Sequence, residues 1–78
     1  MLPADAPFDR VFRALAALGC IVRRQNKVHV QFQRMMPDGR VQNGTLPDHD
    51  TVYIGVLSSA LRQLGIAPRE FMEAYRES

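Results

Sequence analysis

The chain has 78 residues, 46% of them apolar, with ten Lys and Arg against eight Asp and Glu. That length suits one domain, residues 1–78, with a single modest core, and the apolar share is too high for a disordered chain. The formal charge of +2 is unevenly spread: Arg10, Arg13, Arg23, Arg24, Lys27, Arg34 and Arg40 crowd the first half against Asp5, Asp9 and Asp38, which points to an anionic partner on one side of the fold.

In chain order, the opening MLPADAPFDR has no basic region leading into an apolar stretch, so no secretory signal is expected. No apolar run reaches the roughly 18 residues of a membrane span, and the expectation is a cytoplasmic protein. Phe8, Val11, Phe12, Leu15 and Leu18 recur at the helical spacing of three and four. Pro7 suits a first helical turn and Gly19 the left-handed residue that stops a helix, which predicts a helix from about Pro7 to Leu18. Cys20 opens a short β-branched stretch, CIVRR, and reads as a small buried apolar residue. Because it is alone, it excludes an internal disulfide framework and any multi-cysteine zinc site.

QNK is a plausible turn. VHVQFQRM then alternates, with Val28, Val30 and Phe32 on one side and His29, Gln31 and Gln33 on the other. MPDGR is a turn, since Pro presets φ and Gly takes the left-handed residue. VQNGTL is a poorer third strand, in which Gly44 is a weakness or marks a bulge. Pro47 ends this antiparallel meander. PDHDTVY reads as a loop leading to Ile54, Leu57, Leu61 and Leu64, one face of a second helix that Gly65 stops. Pro68 starts a short final helix with Phe71, Met72 and Tyr75 as its apolar contacts. The predicted class is α+β: helix, three-stranded meander, helix, short helix, with the helices on one face of the sheet and the other face wet.

Several residues could carry chemistry. His29 falls on the polar side of its strand, where a histidine can act as general base or acid beside a docked substrate, or simply pair across strands at the surface. His49, between Asp48 and Asp50, could be imagined as a cation ligand, but one short loop supplies too few independent ligands, and loop solvation is the plainer reading. Arg23, Arg24, Lys27 and Arg34 lie on adjacent strands and the turn between them, so they could form one phosphate-neutralising patch or a solvated face with no ligand. Aromatic residues for base stacking are scarce there, because Phe32 shares the valine side. No Ser-His-Asp, P-loop or dinucleotide-binding pattern is present.

Taken together, these segments resemble the HicA (YcfA-like) toxins, whose architecture is similar to the double-stranded-RNA-binding domain. LAALGCIV approximates the family's helix-ending step, with Cys20 in the place of an aromatic. RRQNKVHVQF aligns Arg24, Gln25, His29 and Phe32 with the pattern xRQxGSHxxF. Asp38, Gly39 and Arg40 supply the DGR turn, and Leu46 to His49 the VPxH step. GVLSSALRQLGI supplies Gly55, Leu57, Leu61, Arg62, Gln63, Gly65 and Ile66 of the helix that follows, and APREF is similar to the family's ending. The resemblance covers about Phe12 to Tyr75.

It implies an mRNA interferase, an RNA-cleaving toxin that needs no metal or cofactor and is held inactive by a HicB-like antitoxin. Its catalytic histidine would be His29. Lys27 and Arg24 would be the candidates to stabilise the charge on phosphorus. The chain departs from the family by carrying Lys27-Val28 where the pattern has Gly-Ser, and Gly55-Val56 where it has Gly-Thr. Two other functions therefore stay open: a non-cleaving RNA-binding module of the same fold, and a remnant that serves only to bind a partner.

Overall fold

Alternation along one strand organises the molecule. In a computed structural model covering Met1–Ser78, the elements run β1 (Asp5–Pro7), α1 (Phe8–Ala17), β2 (Cys20–Gln25), β3 (His29–Met35), β4 (Val41–Pro47), β5 (Thr51–Tyr53), α2 (Ile54–Leu64) and α3 (Pro68–Glu77). Strands β2, β3 and β4 form the expected antiparallel meander with β3 in the middle. Its inner side buries Val30, Phe32 and Leu46, while His29, Gln31, Gln33 and Met35 alternate with them toward the outside. The α+β layout read from the sequence is thus the observed one.

Helices cover only the inner side. From α1 come Val11, Ala14 and Leu15, from α2 Leu57, Ala60, Leu61 and Leu64, and from α3 Phe71 and Tyr75, all buried in one core. Each fully buried Leu or Phe side chain of this kind contributes about 1.5–3 kcal/mol relative to exposure. Ile54, expected on the apolar face of α2, instead remains 44% exposed at its first turn. Gly19 (φ 88°) and Gly65 (φ 69°) take the left-handed conformation predicted for residues that stop helices. Helix α3 is clipped to α1 by Arg10, whose guanidinium donates to the Tyr75 carbonyl at 3.0 and 3.2 Å and lies 3.9 Å from the Tyr75 ring centroid.

Two details differ from the sequence reading. The supposed loop PDHDTVY contains β5, which pairs with β1 through Asp5 opposite Tyr53, Ala6 opposite Val52 and Pro7 opposite Thr51. Ala6 and Val52 are buried, so this small ladder closes the core beside the start of α1. Pro7 consequently ends a strand and precedes the helix, which begins at Phe8.

The bulge suspected at Gly44 lies elsewhere. Strand β4 is regular there, with Gly44 opposite Phe32, and the register shift is in β2 between Val22 and Arg24. Gly44 instead lets α2 approach the sheet: a Cβ at this position would stand 2.7 Å from Leu64 Cγ and 3.1 Å from the Ala60 carbonyl oxygen. Gly44→Ala is therefore expected to lower the unfolding free energy by about 1–3 kcal/mol through overpacking. A urea titration of the two proteins measures this, with a reduced midpoint as the expected result.

Candidate functional site

The site begins at the β2–β3 turn. Asn26 folds it: its Oδ1 accepts hydrogen bonds from the backbone N–H groups of Val28 and His29, both at 2.8 Å, and its own N–H donates to the His29 carbonyl at 3.0 Å. This fixes His29 as the first residue of β3, opposite Pro47. Val28 was expected beside Val30 on the apolar side. It belongs to the turn instead and is 56% exposed, because the pattern is interrupted before the strand starts.

The register shift in β2 decides which arginine joins His29. Cys20 to Val22 pair with Arg34 to Phe32, Arg23 is the extra residue, and Arg24 then pairs with Gln31. Paired residues share a face of the sheet, so the bulge turns Arg24 to the outer side, where an unshifted register would have placed it inward with Val30. Arg24, Asn26, His29, Gln31 and Thr45 line an open depression of about 290 Å³ with no hydrophobic residue in its wall. Its contents are a titratable imidazole, a guanidinium, two amides and a hydroxyl. Such a set can accept a proton, neutralise an anion and hydrogen-bond to a sugar or base.

The charges around this depression are unengaged. In the basic first half of the chain, Arg10 is tied to Tyr75, Arg13 to Asp9 at 3.7 Å and Arg40 to Asp38 at 2.7 Å. Arg34 is tied to Glu70 at 2.9 Å. Arg23, Arg24 and Lys27 form no ion pair, and all three are exposed. Of these three, Arg24 lines the depression with His29, and Lys27 lies in the turn that leads into it.

Arg34, grouped with Arg23, Arg24 and Lys27 by the sequence, stands apart from them in the structure. It shares the inner side with Val30 and Phe32, and its side chain is only 15% exposed. The guanidinium donates to the Leu18 carbonyl at 3.2 Å, the Gly65 carbonyl at 3.3 Å and the Glu70 carboxylate at 2.9 Å, joining the C-terminal ends of α1 and α2 to the first turn of α3. Strand alternation already held this information, since Arg34 lies two residues beyond Phe32. Cys20, opposite Arg34, is buried; burial pushes its thiol pKa up, and Arg34 partly offsets the effect. His49 sits in the exposed loop after β4, next to the turn, because the neighbouring Asp48 N–H donates to the Val28 carbonyl at 2.8 Å.

Asn26, Gln31 and Thr45 were not singled out from the sequence. Gln31 could have been, because it shares the alternation of His29. Asn26 carried the weaker signal of an Asn in a tight turn. Thr45 required the β3–β4 register. The largest hollow of the molecule, about 610 Å³, lies elsewhere, between α1 and α3. Glu70, Glu73 and Glu77 line it, which makes it a poor seat for an anion.

A family model for the HicA toxin of bacterial toxin–antitoxin systems matches residues 8–66. The chain belongs to this family. No curated protein sequence matches it. The matched span runs from the start of α1 to just past α2, and so contains the whole meander and the depression around His29. A toxin of this family has an antitoxin as its partner, and no helix of the chain is long and apolar enough to cross a membrane.

The two kinds of arginine separate experimentally. Arg34→Ala leaves two helix-end carbonyls and Glu70 without their donor, and is expected to cost about 2–3 kcal/mol of stability. Arg24→Ala, on the open face, is expected to stay within about 0.5 kcal/mol of the wild type. Chemical denaturation followed by circular dichroism reads both.

Proposed function

We propose that the chain is an mRNA interferase: a toxin that cleaves RNA in the cytoplasm at the outer face of the sheet, with His29 as its general base and a HicB-like antitoxin as its inhibitor. The reading rests on one observation above all. Arg24, which forms no ion pair, lines the same open depression as the exposed His29 on the uncovered face, and the unpaired Lys27 lies in the turn just before it.

In this reaction His29 takes the proton of a ribose 2′-OH, and the 2′-oxygen attacks the adjacent phosphorus. The bond from phosphorus to the 5′-oxygen of the next nucleotide breaks, and that oxygen takes a proton from solvent. The products are a 2′,3′-cyclic phosphate and a 5′-hydroxyl end, formed without metal or cofactor. An imidazole suits the first step because a ring nitrogen can take the proton of a hydroxyl held within hydrogen-bond reach. Arg24 and Lys27 face the charge that accumulates on the phosphoryl oxygens, where fixed cations lower the barrier most. Gln31 and Thr45, walls of the same depression, offer hydrogen bonds to the sugar and base edges of an unpaired strand.

The replacement of the family's Gly-Ser by Lys27-Val28 fits this scheme. Asn26 holds the backbone at Val28 and His29 by its side-chain oxygen, so the turn does not depend on a glycine. Lys27 adds a cation where the serine's donor capacity is lost with Val28.

Expression of the chain is expected to arrest growth, and the purified protein to cleave RNA in the presence of a chelator. His29→Ala is expected to abolish both, lowering cleavage by about 100-fold or more, while binding RNA with wild-type salt dependence. Gel analysis of a labelled RNA and a filter-binding series across salt concentrations make the comparison. Wild-type protein that binds RNA but never cleaves it would assign the chain to the non-catalytic binding class instead.

A further inference from the structure

One half of the Asn26 side chain has no partner in the protein. Its Oδ1 accepts from the N–H groups of both Val28 and His29 at 2.8 Å. Both partners are backbone donors, so only the oxygen can face them, and the orientation of the planar amide is set. The Nδ2 group, with two protons to donate, makes no hydrogen bond within the chain. Asn26 is exposed and forms part of the wall of the depression that holds Arg24 and His29.

The other walls are held less firmly. At His29 and Thr45 only backbone N–H groups are engaged, the second donating to Gln63 Oε1 at 3.2 Å. The side chains of Arg24 and Gln31 are tied to nothing. A long side chain that is ordered only when substrate arrives loses its rotamer freedom at that moment. Asn26 has lost it already on folding, and donors in place beforehand stabilise developing charge best. The two bonds at Oδ1 also polarise the amide, which strengthens its N–H groups as donors. The backbone N–H groups of Val28 and His29, a natural cradle for an anion, are engaged by that oxygen. The turn thus presents its donor capacity through Nδ2.

We propose that Asn26 is a catalytic residue of the cleavage site, whose Nδ2 donates to a non-bridging oxygen of the scissile phosphate and stabilises the charge that gathers there beside Arg24 and Lys27. The same two hydrogen bonds hold the amide and the backbone of His29 against each other, so the anion donor and the proton acceptor are set by one turn. The inference rests on the cleavage reading for the reaction and on the turn for the donor.

The test compares the wild type with Asn26→Ser and Asn26→Asp, which both keep an oxygen to accept within the turn and lack the NH2 group. The substrate is an RNA with one scissile linkage, as the ordinary phosphate and as each of its two phosphorothioate stereoisomers, in which sulfur, a poor acceptor, replaces one non-bridging oxygen. Asn26→Ser is expected to lower kcat about 10- to 100-fold and to leave RNA affinity at the wild-type value. The wild type is expected to lose rate on one stereoisomer, and Asn26→Ser to lose less there, because the donor that sulfur fails to satisfy is already gone. Circular dichroism checks the fold, and Asn26→Asp carries the stereoisomer comparison if the serine variant does not fold. Unchanged kcat overturns the proposal. So does a sulfur penalty of equal size in wild type and variant for both stereoisomers, which would leave Asn26 a positioning residue for His29 alone. If the wild type cleaves no RNA, the proposed function falls, and NMR decides the donor. The side-chain amide signals of Asn26 are then expected to shift on addition of a 2′-O-methyl RNA, and signals that stay in place overturn the proposal.

Discussion

Strand β3 presents two unlike rows of side chains, and the two-residue period of an extended backbone keeps them apart. Val30, Phe32 and Arg34 point inward and connect the sheet to every helix. The first two enter the apolar core, and Arg34 ties the ends of α1 and α2 to α3. His29, Gln31, Gln33 and Met35 point outward and bear none of that burden. A slip of one residue in register would exchange the rows, exposing Phe32 and burying His29 against the helices. Burial and exposure thus fall on alternate positions of the same seven residues, and the core that holds the inner row also holds the outer row in place.

Around that strand, local devices adjust what the outer face offers. The bulge at Arg23 costs β2 a regular ladder but rotates Arg24 onto the same side as His29. Asn26 closes the turn with two backbone bonds that set the start of β3. The Asp38–Arg40 pair and Gly39 close the turn at the opposite end, where Met35 and Val41 meet. In consequence one end of the face is cationic and polar and the other apolar.

Much of this architecture could be read from the residues because the periods are strong. Three-and-four spacing marked α1 and α2, alternation marked β3, and Gly19, Gly39 and Gly65 marked the places where the chain turns. What escaped had physical reasons. Strands β1 and β5 have three residues each, too few to show a period, and they exist because Ala6 and Val52 close the core beside α1. The position of the bulge depends on pairing between strands, so Arg23 and Arg24 looked equivalent in sequence. The role of Gly44 depends on how near α2 comes. Arg34 is the instructive case: charge alone grouped it with the surface cations, whereas its parity with Phe32 placed it inside. The location of His29 followed from alternation, but its assignment as a catalyst came from family resemblance, because an exposed strand histidine has no distinctive local pattern.

The division of β3 into a supporting row and a working row is tested most directly by an alanine scan from His29 to Met35, reading the unfolding midpoint and the rate of RNA cleavage for every variant. The account predicts that Val30→Ala, Phe32→Ala and Arg34→Ala lower the midpoint, and that His29→Ala and Gln31→Ala lower cleavage while the midpoint stays put. A His29→Ala protein that loses as much stability as Val30→Ala yet cleaves RNA normally would contradict it, because the imidazole would then be part of the scaffold and the reaction would lie elsewhere.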